Sequence, residues 1–172
     1  MASVIKVDTI KSTTGNTALT ISESGVPQLN VPAFRAYLST TQSISSVTET
    51  KVNIATKTGA EFFDTNDWFD TTNKRYVPQI AGYYQVNGVI RCGGSSQTVQ
   101  YAAFYKNGTR YLIGEVQKAT TLVHVVVSDV IYLNGTTDYV ELYGSITATS
   151  PTFNFFDSSA TCVFSGFLVR AA

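Results

Sequence analysis

Cysteine, histidine and charge are all scarce in this chain. Only Cys92 and Cys162 are cysteines among its 172 residues, too few for a disulfide scaffold and without the paired spacing of a zinc site. Two buried thiols are the expected state, because free cysteine behaves as a small hydrophobe; a bridge between them is the alternative. His124 is the one histidine and stands between Val123 and Val125 in a strand-like run. That setting points to a buried or interface side chain rather than a general acid or base. The sequence has no Gly-x-Ser-x-Gly elbow, no phosphate-cradling glycine loop and no His-Glu-x-x-His pair. Gly93-Gly-Ser-Ser96 is followed by neither a lysine nor a helix start and reads as a flexible loop. No enzyme is expected, no catalytic residue is assigned, and no cofactor is implied.

Charge excludes further classes. Twelve basic residues balance 12 acidic ones, and charged residues make up only 14% of the chain, so no long-range field draws in nucleic acid or an anionic membrane. The apolar runs fall far short of the ~20 residues a membrane helix needs, and the stretch after Met1 is too polar for a secretory signal. The expectation is a chain made in the cytoplasm without a signal peptide, with no nucleic-acid partner and no membrane insertion.

What the chain has in quantity is β-type sequence. From Ala33 on, short runs rich in Val, Thr, Tyr and Phe alternate with turn residues, and no helical period persists beyond a turn or two. The expected strands are Phe34–Ser39, Lys51–Ile54, Glu61–Asp64, Arg75–Val77, Gly82–Arg91, Val99–Lys106, Arg110–Glu115, Leu122–Leu133, Tyr139–Ser145, Thr152–Phe156 and Thr161–Val169. Asn107-Gly108 is a two-residue type I′ hairpin signal, and Asn134-Gly135 reads almost as well. This spacing predicts an all-β, antiparallel two-layer fold: a sandwich, jelly roll or barrel.

Alternation assigns faces. Val140, Leu142 and Ile146 share one side of their strand, while Tyr139, Glu141, Tyr143 and Ser145 share the other. In Leu122–Leu133 the row Val123, Val125, Val127, Ile131 and Leu133 is apolar, and the row of His124, Ser128 and Tyr132 is mixed. Together the two strands suggest one aromatic, weakly charged sheet face with the composition of an interface. In the closing run Thr161–Val169, Cys162, Phe164 and Leu168 lie on one side and Val163, Phe167 and Val169 on the other. Both sides ask for cover, one from a second sheet and the other from a neighbouring subunit.

Residues 1–31 form a separate segment. Val4-Ile-Lys-Val-Asp-Thr-Ile10 and Thr17-Ala-Leu-Thr-Ile21 are short β-type runs, with turns at Thr13–Asn16 and Glu23–Gly25 and an extended linker bracketed by Pro27 and Pro32. A hairpin this small is marginal alone in water. Val4, Ile5, Val7, Ile10, Leu19 and Ile21 are therefore expected to anchor it to another surface, making residues 1–31 an arm and residues 32–172 the head.

One polar cluster stands out. Asp64-Thr-Asn-Asp-Trp-Phe-Asp70 offers oxygen ligands suited to calcium through Asp64, Asp67 and Asp70, but lacks the glycine and distal glutamate of an EF-hand loop. The competing reading is a turn whose carboxylates accept from backbone N–H groups. Trp68, the sole tryptophan, is either a contact for a sugar or protein partner or a packed side chain.

The run Phe69-Asp-Thr-Thr-Asn-Lys-Arg-Tyr-Val-Pro-Gln-Ile-Ala-Gly-Tyr-Tyr84 resembles the head domains of the complement C-one-q and tumour-necrosis-factor superfamily. Phe104-Tyr-Lys-Asn-Gly108, Ser128-Asp-Val-Ile-Tyr-Leu133 with Asp138-Tyr-Val-Glu-Leu142, and Phe164-Ser-Gly-Phe-Leu168 follow in that family's order, so the resemblance spans residues 32–170. It departs at Asn134-Gly-Thr-Thr-Asp138, a longer turn than the family's, and no collagen-like repeat precedes the head. The leading segments, Val4–Ile10 and Gly15–Ile21, are instead similar to those of bacteriophage tail-fibre and capsid decoration proteins.

The resemblance implies a jelly roll assembled as a tight homotrimer, with Tyr84, Val140, Leu142, Phe164, Gly166 and Leu168 in the core or the trimer contact. The functional expectation is a structural protein on a virion surface, a knob, decoration or fibre head. Its arm would hold other virion proteins, and its loops would meet a host cell-surface glycan or protein. A soluble bacterial lectin-like module of the same fold is the alternative.

Overall fold

A computed structural model describes residues 7–15, 17–59, 61–117, 122–155 and 161–172. The chain divides into two compact units, Met1–Val31 and Pro32–Ala172. In the first, β1 (Thr9–Lys11), β2 (Thr17–Ile21) and β3 (Pro27–Leu29) form an antiparallel sheet in that order. Ile10 pairs with Leu19 and Leu19 with Leu29, which sets these three side chains on one face. Ile10 and Leu29 are exposed, as is Val7, while Leu19 and Ile21 are half-buried. Pro27 pairs with Ile21 rather than opening a linker. An edge strand accepts proline because its outward N–H has no ladder partner to lose. Val4 and Ile5 lie outside the described residues.

In the second unit the strands are β4 (Ala33–Tyr37), β5 (Gln42–Ser43), β6 (Thr50–Lys51), β7 (Phe63–Asp64), β8 (Phe69–Asp70) and β9 (Arg75–Tyr76), then β10 (Gly82–Lys106), β11 (Thr109–Gln117), β12 (Val123–Leu133), β13 (Val140–Phe153) and β14 (Val163–Ala171). All their pairings are antiparallel, and the described residues contain no helix. The architecture is a two-sheet jelly roll. One layer runs β7-β4-β14-β10-β12; the other is built on β11-β10-β13, with β5, β6 and β9 along β13 and β8 beside β9.

Strand β10 belongs to both layers. Its first part, Gly82–Cys92, lies between β12 and β14; its second part, from Val99 on, lies between β13 and β11. Gly93-Gly-Ser-Ser96 is therefore not a flexible loop but the bend at which the strand changes sheets, marked by shifts of register against β13. Gly94 there has φ 130°, and a Cβ would come 3.0 Å from the Thr149 carbonyl oxygen. The facing strand bends too, so the two strands expected at Tyr139–Ser145 and Thr152–Phe156 are one, with Ser150 at φ 50°.

The turns also differ in kind. Asn107 and Gly108 both have positive φ, 53° and 76°, and close the β10–β11 hairpin. Asn134-Gly135 closes no hairpin, because β12 and β13 lie in different layers. There Asn134 Oδ1 accepts from the backbone N–H groups of Thr136, Thr137 and Asp138, which folds the crossover tightly.

Aromatic rings fill the space between layers. Phe164 of β14 meets Phe34 of β4 edge-on at 5.0 Å between centroids, Phe104 of β10 at 5.8 Å and Phe69 of β8 at 6.0 Å. Tyr84, Val140, Leu142 and Gly166 are likewise buried, and Leu168 packs half-buried against them. All six residues thus contribute to the core of a single chain and do not line its outer face. A Cβ on Gly166 would stand 2.8 Å from the Gln85 carbonyl oxygen, so β14 and β10 approach as closely as they do only because glycine is there.

Candidate functional site

The outward face of the β7-β4-β14-β10-β12 layer is the most distinctive surface of the head. Alternation along each strand sends Tyr84, Val86 and Ile90 inward and Tyr83, Gln85, Asn87, Val89 and Arg91 outward. The register then lays out rows across β12, β10 and β14. Tyr83 lies beside Tyr132, with ring centroids 5.4 Å apart. Gln85 lies between Val130 and Phe167, Asn87 between Ser128 and Ser165, and Val89 between Val126 and Val163; Arg91 lies beside His124. Phe63 of β7 continues the face beyond Arg35 of β4. Phe167 is 46% exposed, Val130 45% and Val126 42%, although their side chains are wholly apolar. Large apolar side chains gathered this exposed on one sheet face have the composition of an interaction surface rather than of a solvated one.

One placement corrects the sequence reading of faces. The tyrosine row of β13 and the outward row of β12 do not share a sheet face, because the two strands lie in different layers. His124, expected to be buried or at an interface, is exposed on the outward face with Val126, Val130 and Tyr132, in the row that alternation gave it. Val126 and Val130 were not singled out in the sequence. The signal that could have found them is that both stand in the same alternation register as His124 and Tyr132.

The tyrosine row of β13 is covered by its own chain. Tyr143 stacks on Tyr105 at 3.9 Å, and Lys51 bonds the buried Glu141 at 2.6 Å. Beside them Glu49 accepts from the Tyr101 hydroxyl at 3.0 Å, from Arg110 at 3.0 Å and from the Tyr105 hydroxyl. Burial works to raise the Glu49 carboxyl, but these three donors together hold it below its ordinary pKa. Burial and the Glu49 hydrogen bond push Tyr105 up to about 12. Every polar group of this cluster named here has a partner in the same chain, which leaves little there for a ligand to satisfy.

The acidic loop does not converge on a metal. Lys57 Nζ donates to Asp64 Oδ2 at 2.9 Å, to Asp67 Oδ1, and to the Phe69 carbonyl at 3.2 Å. An ammonium therefore occupies the place a cation would take, and Lys57 was not foreseen because it lies upstream of the loop in a stretch without pattern. Burial acts to lower the Lys57 pKa, but the bonds to Asp67 and Asp64 prevail and raise it. Asp70 turns the other way and accepts from the Thr72 and Asn73 backbone N–H groups and from Arg75 Nε, an Asx-type turn. Trp68 is half-buried and packs against the core.

Other chemistry is equally sparse. Among the described residues no group of three His, Cys, Asp or Glu side chains could hold a metal ion. Cys92 and Cys162 are buried and unbridged, and burial pushes their thiols up to about 12 and about 11, the state of inert core cysteines.

No family model and no curated protein matches the sequence. Among solved structures, the chain is similar to the globular domain of zebrafish Complement 1qA protein, with a TM-score of 0.50 and 17% identity over 83% of this chain and 99% of that one. The likeness is one of fold. It joins two chains of low sequence identity through a common antiparallel jelly roll, the architecture implied by the motifs at Phe69–Tyr84, Phe104–Gly108 and Phe164–Leu168.

Proposed function

We propose that the protein is a non-enzymatic assembly and attachment module: a homotrimer of jelly-roll heads on the surface of a bacteriophage particle, as a knob, capsid decoration or fibre head. Residues 1–31 attach it to other virion proteins, and its outer loops meet a host-surface glycan or protein. One observation carries the reading, the exposed apolar side chains of Tyr83, Val126, Val130, Tyr132 and Phe167 gathered on one sheet face. Two further copies of the chain would cover it, in the manner implied by the resemblance to trimeric complement C-one-q-type heads. A permanent interface of this kind buries on the order of 2,000–5,000 Å². The arm's similarity to the leading segments of phage fibre and decoration proteins, and its exposed Ile10 and Leu29, support attachment through residues 1–31.

The mechanism is burial and avidity. Three copies of a weak loop contact, held rigidly together, bind one surface far more tightly than a single copy does. Sedimentation of the parent at micromolar concentration should give a trimer, and Phe167→Asp with Val130→Asp should give a folded monomer. A parent that sediments as a monomer would overturn the reading.

A further inference from the structure

Two polar residues of β10, Gln85 and Asn87, stand on the outward face of the head between the Tyr83–Tyr132 pair and the row of Val89, Val126 and Val163. The two hydrogens of Gln85 Nε2 are shared among four acceptors, Ser128 Oγ at 2.9 Å, Asn87 Oδ1 at 3.2 Å, and the carbonyl oxygens of Asp129 at 3.2 Å and Val86 at 3.3 Å. Ser128 Oγ donates its own hydrogen to Asn87 Oδ1 at 2.7 Å. Every partner of the Gln85 amide nitrogen accepts, so the network fixes both amides. The Gln85 nitrogen and the Asn87 oxygen are engaged, and the opposite ends, Gln85 Oε1 and Asn87 Nδ2, are not.

Among the described residues these two atoms have no hydrogen-bond partner. They stand two residues apart on β10, in rows flanked by Val130 and Phe167 on one side and by Val89, Val126 and Val163 on the other. Water satisfies them while the face is open. Drying the face without supplying partners would cost free energy at each atom, so the covering surface must bring one donor and one acceptor to the same place. Another copy of the chain carries both.

We propose that Asn87 Nδ2 of each copy donates to Gln85 Oε1 of the next, closing a ring of three hydrogen bonds that fixes the register of the trimer. The ring rests on the trimer proposed above. It gives the face a specificity that apolar side chains cannot supply, because a shift along the strands by one row leaves both amides unpaired in a dry contact. The amides act here as a polar layer does in a helical coiled coil, where one buried asparagine selects register and copy number at some cost in affinity.

A mutant cycle read by sedimentation equilibrium tests it on the full chain: parent, Asn87→Leu, Gln85→Met and the double variant, with far-UV circular dichroism to establish that each head is folded. Asn87→Leu should weaken association roughly ten- to a hundredfold, because it strands the Gln85 oxygen of the next copy. The double variant should associate no more weakly than either single one, since no half of the pair is left behind. Folded single variants that assemble like a trimeric parent, or effects that multiply in the double variant, would overturn the ring and leave the trimer standing. A monomeric or dimeric parent would overturn both.

Discussion

At the scale of single residues, Lys57 and Phe164 do the most. Lys57 supplies a positive charge from within the fold to a loop that would otherwise leave Asp64, whose side chain is only 3% exposed, without a counter-charge. Lys57→Met should cost about 1–3 kcal/mol in urea unfolding. That is less than a fully buried pair would cost, because the ammonium keeps some contact with water. Since the ammonium holds the oxygens, adding calcium should leave the parent's melting temperature unchanged; a rise would show that an ion competes for the loop. Phe164 touches the rings of Phe34, Phe69 and Phe104, three strands gathered by one side chain. Phe164→Ala should therefore cost ~3–5 kcal/mol in the same assay. Phe164 was legible from alternation in the closing run. Lys57 was not, because pairing across a fold leaves no periodic trace in the sequence.

At the scale of elements, the sequence reveals strands better than their continuity. Asn107-Gly108 announces its hairpin because a type I′ turn needs positive φ at both residues, and few pairs tolerate it. Asn134-Gly135 looks the same in sequence yet makes a crossover between layers, because the alternative partners of β12 and β13 lie far away in the chain. Gly93-Gly-Ser-Ser96 has loop composition and is strand, since a strand that changes sheets needs the same residues a loop does. Gly94→Ala should destabilise the head by at least ~1 kcal/mol, because φ 130° disfavours any side chain and the Thr149 carbonyl stands close. Thermal melting checks it, and an unchanged midpoint would mean the bend relaxes freely. The polar row of β10 was also missed. Tyr83, Gln85, Asn87 and Val89 alternate with buried residues, but only the register shows what they face.

At the scale of the whole molecule, acid should loosen the head through its carboxylates. Burial works to raise Asp70 and Asp138, but hydrogen bonds from Asn73 and Thr72 in one case, and from Asn107 and Lys106 in the other, hold both below the ordinary value of 3.8. A group depressed in this way favours the folded state above its unfolded pKa and stops doing so as pH falls through the folded one. The melting temperature should therefore hold steady from pH 7 to about 5 and fall below about pH 4, which calorimetry at fixed ionic strength would record. On the proposed trimeric virion reading, deleting residues 1–31 should leave sedimentation of the heads unchanged and abolish incorporation into particles; retained incorporation would remove the arm from that proposal. The architecture was legible because many short strands with turn chemistry between them leave few alternatives. Which outer face stays uncovered was not, because two strands with similar tyrosine and valine content turned out to belong to opposite layers.

The bend in β10 has a mechanical side. Because one continuous strand is hydrogen-bonded into both layers, the two sheets cannot slide past each other as separate plates. A shearing load between the layers is therefore carried along covalent bonds of β10 as well as across side-chain packing.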